Sequence, residues 1–324
     1  MADPASPTEV ARRMTDLAPL AGADAAAWDV EFVSEPFTLG SEDVDVALAR
    51  LRARAEAHQW DVVIGVTELP VRDDDGRYLL AAIDTRRHSA VLSLPALGGF
   101  RVRSRARHTV QGLVSGMAEP APPSEQRVAL PGLSGRGRVL LGMVLANRPW
   151  LLAAGLKSGL VAALATGAVA TIEPTIWLLA DSLSGWRLAA ATVASIAIVI
   201  AWIVIDGELW DRPDDDSVAA RERSRLYNTS TLLTLTVGVV ICYLALYTVN
   251  LAWALFVLDP EVMGDSLGAS FAYGDLFVLS WFVASAATIG GALGTGLESD
   301  DAIRAAAYSK REEDRRARLA DERA

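Results

Sequence analysis

The chain has 324 residues, a formal net charge of −10 at pH 7, and a positive mean hydropathy of +0.27 although 22% of its residues are charged. These values are compatible only if apolar and charged residues are segregated along the chain. The acidic balance argues against general nucleic-acid binding, and the single cysteine, Cys242, excludes an intramolecular disulfide and a cysteine-rich metal site.

Residues 1–10 (MADPASPTEV) carry neither a basic n-region nor an apolar h-region, so no signal peptide is expected. A first helix is expected near residues 7–17. WDVEFV (28–33) alternates apolar and polar residues as a half-buried strand does. Ser41 is placed to cap a helix reaching about His58, with Val44, Leu48, Leu51 and Ala55 on one face. DVVIGV (61–66) reads as a buried strand, and the strand–helix–strand order predicts a right-handed parallel unit. Asp73-Asp-Asp-Gly76 is a turn. Residues 78–83 and 90–94 read as further strands. Residues 101–117 read as a helix with Val102, Ala106, Val110, Leu113 and Met117 inward.

EPAPPS (119–124) is a stiff, proline-rich linker. RGRVLLGMVLAN (136–147) reads as an amphipathic helix at the inner membrane surface, with Val139, Leu140, Met143 and Val144 towards headgroups or the bundle. Four apolar segments then follow, at about 156–180, 186–205, 229–258 and 271–294. Each approaches or exceeds the roughly 20 residues needed to cross a bilayer as helix. The tail from residue 298 is a charged helix, solvated or available to a partner.

The expected fold class is therefore a small α/β cytosolic domain (1–118) followed by an all-α transmembrane four-helix bundle (150–297). Residues 119–149 connect them and 298–324 form a cytosolic tail. Arginine and lysine alternate between the loops. Arg136, Arg138, Arg148 and Lys157 precede the first span, and only Arg187 lies in the first loop. Arg212, Arg221, Arg223 and Arg225 lie in the second loop, and the loop after the third span has none. This distribution predicts a multi-pass plasma-membrane protein with both termini cytoplasmic. Trp150 and Trp210 would anchor the inner edge, and Trp177 and Trp186 the outer.

Gly155–Gly159 and Gly290–Gly294 both read G-x-x-x-G, which lets helix backbones approach closely. They serve either packing within the chain or a homo-oligomer. The partners expected are thus the lipid bilayer, a second copy through these glycines, and a cytosolic protein. No cofactor and no metal are expected.

Several segments resemble a bacterial family of four-helix integral membrane proteins with an N-terminal cytosolic α/β domain. They are WDVVIGVTELPVR (60–72), SLPALG (93–98), ANRPW (146–150) and GGALGTGLESD (290–300). The resemblance covers most of the chain and implies architecture without an activity. The soluble half alone also resembles the N-terminal order of archaemetzincin-type zinc proteases. Those enzymes need H-E-x-x-H, with two histidines one helical turn apart on zinc and a glutamate acting on the bound water. The matching stretch here is His108-Thr-Val-Gln-Gly112. Thr109 stands at the glutamate position and Gly112 at the second histidine, so the resemblance implies a relative without the zinc chemistry.

Remaining candidate sites are few. Glu68 follows the 61–66 strand and, with Asp84 and His88, would converge at a strand end, where α/β domains place binding loops. Glu68 and His88 are the weak catalytic candidates. Arg86, Arg87, Arg101, Arg103, Arg105 and Arg107 form a basic cluster able to face anionic lipid or a nucleotide, or simply solvent. Glu173, Tyr247, Asn250 and Asp275 lie at similar predicted depth and would form a polar cluster for a proton or cation, or a hydrated interface. Three functions fit: a non-enzymatic membrane-tethered sensor or adaptor, a small transporter or channel using the intramembrane carboxylates, and a membrane-anchored enzyme.

Overall fold

A computed structural model describes residues 1–3, 6–12, 29–38, 40–118, 125–213, 215–268 and 270–295. The linker at 119–124 and the tail from residue 298 lie outside the described residues. The chain divides into an N-terminal unit reaching Ala146 and a helical unit beginning at Asn147.

The N-terminal unit is built on a four-stranded sheet. Helix α1 (Ser6–Arg12) is followed by α2 (Val44–His58), β1 (Val63–Thr67), β2 (Leu79–Asp84), β3 (Ser89–Ser93), α3 (Val102–Ala118), β4 (Glu125–Ala129) and α4 (Gly132–Ala146). The strand order is β1-β3-β2-β4, with β1 parallel to β3 and the other two pairings antiparallel. Strands β1–β3 are buried on both faces, while the edge strand β4 is largely exposed. Val44, Leu48 and Leu51 of α2 pack with Phe37, Val63 and Val91 on one side. Ala106, Val110, Leu113 and Met117 of α3 pack with Val66, Ala81 and Leu92 on the other. The 3.6-residue spacing of those apolar positions is what makes both segments helical, and each fully buried leucine contributes roughly 1.5–3 kcal/mol.

Three expectations change. The cap of α2 is Asp43, whose carboxylate accepts from the Asp45 and Val46 amides. Ser41 instead receives the Asp43 amide. Residues 29–33 form no strand. The Ala2 amide donates to Val33 and the Glu35 amide donates to Ala2, while Ala2 also bridges Val66 beside β1. Ala2 therefore fills the place next to β1, and the predicted parallel unit gives way to β1 and β3 joined through the antiparallel β2. Residues 125–129, read as linker, add β4 to the edge of β2.

The helical unit contains α5 (Leu152–Gly155), α6 (Lys157–Thr171), α7 (Pro174–Ser182), α8 (Gly185–Asp206), α9 (Val218–Val257), α10 (Pro260–Leu267) and α11 (Tyr273–Thr295). Three helices are long and apolar enough to cross a membrane: α8, α9 and α11. The first expected span is not one helix. It breaks between α6 and α7 with a bend of 89°, so a fourth crossing exists only if this bent pair counts as one. Pro174 supplies the cause, because it lacks an N–H and disfavours helical backbone at the residue before it. Glu173 is accordingly extended, with φ −90° and ψ 115°. The Thr171 carbonyl freed there accepts the Trp177 indole N–H at 2.7 Å. Trp177 is thus buried and bonded rather than an edge anchor, whereas Trp150, Trp186 and Trp210 are exposed. Helix α9, at 40 residues, is about 60 Å long and exceeds a hydrocarbon core of about 30 Å. Its first turns carry Arg221, Arg223 and Arg225, which sets them outside the apolar stretch. Large apolar side chains such as Val169, Val193, Ile205 and Phe256 are exposed on these helices, a pattern compatible with a lipid-facing surface.

Candidate functional site

The largest change of the sequence reading concerns Glu68, Asp84 and His88. In the β1–β3 register Val63 lies beside Ser89 and Thr67 beside Ser93. Glu68 follows Thr67, while Asp84 and His88 flank the turn that leads into Ser89. The two groups therefore sit at opposite ends of five-residue strands, roughly 13 Å or more apart. The expected convergence assumed a strand direction that the antiparallel β2 reverses. Asp84 pairs with Arg52 and accepts the amides of Arg86 and Arg87, which assigns it to the turn. His88 is exposed with φ 45°.

A concave basic site lies elsewhere in the same unit. After β3 the chain forms a short 3-10 turn, Pro95–Leu97, started by a proline and closed by Gly98 at φ +83°. Helix α4 runs against this arch. A Cβ on Gly142 would lie 2.2 Å from the Pro95 carbonyl oxygen, and one on Gly99 would lie 2.1 Å from Leu145, so the approach needs glycine on both sides. This contact fixes Arg138, one turn before Gly142. The Arg105 Nη1 of α3 donates to the Leu97 carbonyl at 2.7 Å, and the Arg138 Nη2 donates to the same oxygen at 3.3 Å. With Leu80, Leu97, His108 and Thr109 they line an open cleft of about 490 Å³.

Sharing one acceptor holds the two guanidinium nitrogens within about 6 Å of each other. Two like unit charges at that distance repel by about 0.7 kcal/mol in bulk water and about 3 kcal/mol at an effective dielectric of 20. Neither arginine pairs with a carboxylate among the described residues. The Arg138 Nε is shut off from solvent and has no hydrogen-bond partner among them. The surroundings are equally one-sided. Residues 85–118 hold six arginines and no aspartate or glutamate, in a chain of net charge −10. The Thr109 hydroxyl donates to the Arg105 carbonyl one turn back. The cleft therefore offers positive charge, guanidinium donors and one imidazole, with no carboxylate among its lining residues.

The four expected intramembrane polar residues do not form one cluster. Glu173 is exposed just before α7, where its carboxylate accepts the Thr175 hydroxyl at 3.1 Å and bonds to no helix amide. Asp275 lies in the first turn of α11 and accepts the Ala272 amide at 2.8 Å. Both carboxylates lie at helix starts, where the macrodipole favours negative charge. Asn250 is buried against Gly167 of α6, and its amide nitrogen has no partner among the described residues. Tyr247 is half-buried on α9, and no hydrogen bond joins these four among the described residues.

A different set does meet. The Trp281 indole donates to the Thr192 hydroxyl at 2.7 Å. The hydroxyls of Thr192, Tyr243 and Ser285 lie 3.0–3.1 Å from one another. These residues tie α8, α9 and α11 together. The signal in the sequence was a hydroxyl in each of the last three apolar runs, but such residues are equally common as lone helix back-bonders. Beside them, Cys242, Tyr243, Thr288, Gly159 and Gly291 line a small cavity of about 40 Å³.

The glycine pairs resolve similarly. Gly155 ends α5 and Gly159 lies in α6, with a break at Leu156 between them, so they do not form one helical ridge. A Cβ on Gly291 would meet the Gly159 carbonyl oxygen at 2.8 Å, and one on Gly290 would meet Thr166 at 3.1 Å. Gly159 and Gly290 are thus used to pack α6 on α11 within the chain. Gly294 lies one turn further along α11. His108, Thr109 and Gly112 fall on α3. Among the described residues no group of three or more His, Cys, Asp or Glu is placed to hold a metal ion.

No protein-family model, curated protein or solved structure matches the chain.

Proposed function

We propose that the chain is a multi-pass protein of the plasma membrane, with both termini cytoplasmic, whose N-terminal α/β domain is a non-enzymatic sensor or adaptor. The reading rests on one observation: the concave site of that domain is lined by two arginines, a histidine, a threonine and apolar side chains. Paired guanidiniums beside apolar walls bind and orient an anion, and the lining holds no carboxylate that would orient His108 as a base. The helical unit acts as the anchor. Its exposed apolar faces and three apolar helices support insertion in lipid, and the arginine distribution supports the orientation. The transporter reading loses its motive because Glu173 and Asp275 are engaged at helix starts. The enzyme reading loses its motive because Glu68 and His88 are held apart.

The test is native mass spectrometry of the full-length protein in lipid nanodiscs. The expected result is a small molecule or protein bound at defined stoichiometry, released when Arg105 and Arg138 are both replaced by alanine. A bare chain, or a bound species indifferent to that double substitution, would contradict the proposal.

A further inference from the structure

We infer that the cleft between α3 and α4 is a phosphate site, formed by Arg105, Arg138, His108 and Thr109 around the Leu97 carbonyl. The inference rests on the sensor reading above and names the chemistry that the domain recognises. Two guanidiniums from different helices are brought within about 6 Å of each other by a shared acceptor. Neither has a carboxylate partner among the described residues, and the Arg138 Nε is buried without one. One carbonyl oxygen cannot use two planar forks of five donors each. A phosphate can: it brings up to two negative charges and three strongly accepting oxygens, the complement of paired arginines.

The wall of the cleft is made for this. Gly98 is left-handed at φ +83°, and a Cβ there would lie 3.3 Å from both Arg105 Nη1 and the Arg138 side chain. Glycine thus keeps the space between the two forks open. His108, one turn along α3 from Arg105, adds an imidazole, and Thr109 adds a hydroxyl. The cleft is open to solvent, so a phosphate carried on a larger body can enter it. The same chemistry is offered by a soluble phosphorylated molecule and by the headgroup of an anionic lipid.

The experiment uses the full-length protein in two kinds of nanodisc, phosphatidylcholine alone and phosphatidylcholine with phosphatidic acid. Pyrophosphate is titrated into the first, and thermal unfolding of the N-terminal domain is compared between the two. Binding of pyrophosphate that weakens roughly tenfold in Arg105→Ala and in Arg138→Lys supports a soluble source. Stabilisation by phosphatidic acid that the same variants abolish, without pyrophosphate binding, supports a headgroup. Arg138→Lys keeps the charge and the fold but loses the fork, and Arg103→Ala, on the exposed face of α3, should change binding less than about twofold. No variant-dependent effect in either arm overturns the inference. A ligand without phosphate, found in native mass spectra and lost in the arginine variants, overturns the phosphate assignment and leaves the sensor reading standing.

Discussion

Two polar clusters, one in each unit, are built in opposite ways. In the helical unit Thr192, Tyr243, Trp281 and Ser285 bond to one another until their hydrogen-bonding groups are used. In the N-terminal unit Arg105 and Arg138 share one carbonyl, and neither pairs with a carboxylate among the described residues. The lipid environment proposed for the helical unit would account for the difference. Within lipid no water replaces a missing partner, which favours closed clusters such as this one, while Asn250 and Ser280 of the same unit keep a buried polar atom without a partner among the described residues. Facing water, an open guanidinium costs little and remains available to a ligand. A closed polar cluster is thus a structural device, and an open one marks recognition.

Substitutions separate the two. The largest effect is expected from Gly142→Val, which drives a side chain into the Pro95 carbonyl. It should destabilise the N-terminal unit by about 2–3 kcal/mol and detach Arg138 from the arch. Hydrogen exchange of α4 in the full-length protein would show the loss, while α8 and α11 should be unchanged. Tyr243→Phe removes the hydroxyl shared by Thr192 and Ser285. It should cost about 0.6–1.7 kcal/mol in detergent unfolding of the helical unit, with no effect on ligand binding at the cleft. Asp275→Ala should cost about 0.5–1 kcal/mol through the start of α11, and Glu173→Gln under about 0.5 kcal/mol. A larger loss for Glu173→Gln, or a change in ion flux, would restore a function to that carboxylate.

A pH scan sharpens the contrast within the N-terminal unit. Asp3 is buried, and burial raises its carboxyl above the ordinary value of 3.8, against hydrogen bonds from Thr67, Phe37 and Thr38 that lower it. A raised carboxyl binds its proton more readily in the folded state. Its contribution to stability is complete below the unfolded pKa and is lost as pH rises through the folded value. Asp3→Asn should therefore flatten the fall in stability above pH 3.8, measured by exchange at β1. An unchanged slope would show that Asp3 does not govern it.

Much of the architecture was legible because it depends on periodicity. Val44, Leu48 and Leu51 of α2, and Ala106, Val110, Leu113 and Met117 of α3, bury the faces that their spacing dictates. The apolar runs of α8, α9 and α11 are equally plain in the sequence. What escaped the sequence depends on contacts distant along the chain. Ala2 beside β1 displaces a strand that alternation alone would place at residues 28–33. The reversed β2 moves Glu68 away from His88. The first span was read through Pro174 although proline marks the break. The arginines of residues 101–107 were visible as a cluster. Only Arg105 enters the cleft, because Arg138 and the glycine-lined arch come from other elements.

The most direct test of the account is hydrogen exchange of the full-length protein in washed native membranes, with and without cytosolic small-molecule extract. The account predicts added protection at residues 97–109 and 132–142 in the wild type, absent from the Arg105→Ala, Arg138→Ala double variant. Equal exchange in both proteins, with and without extract, would contradict it.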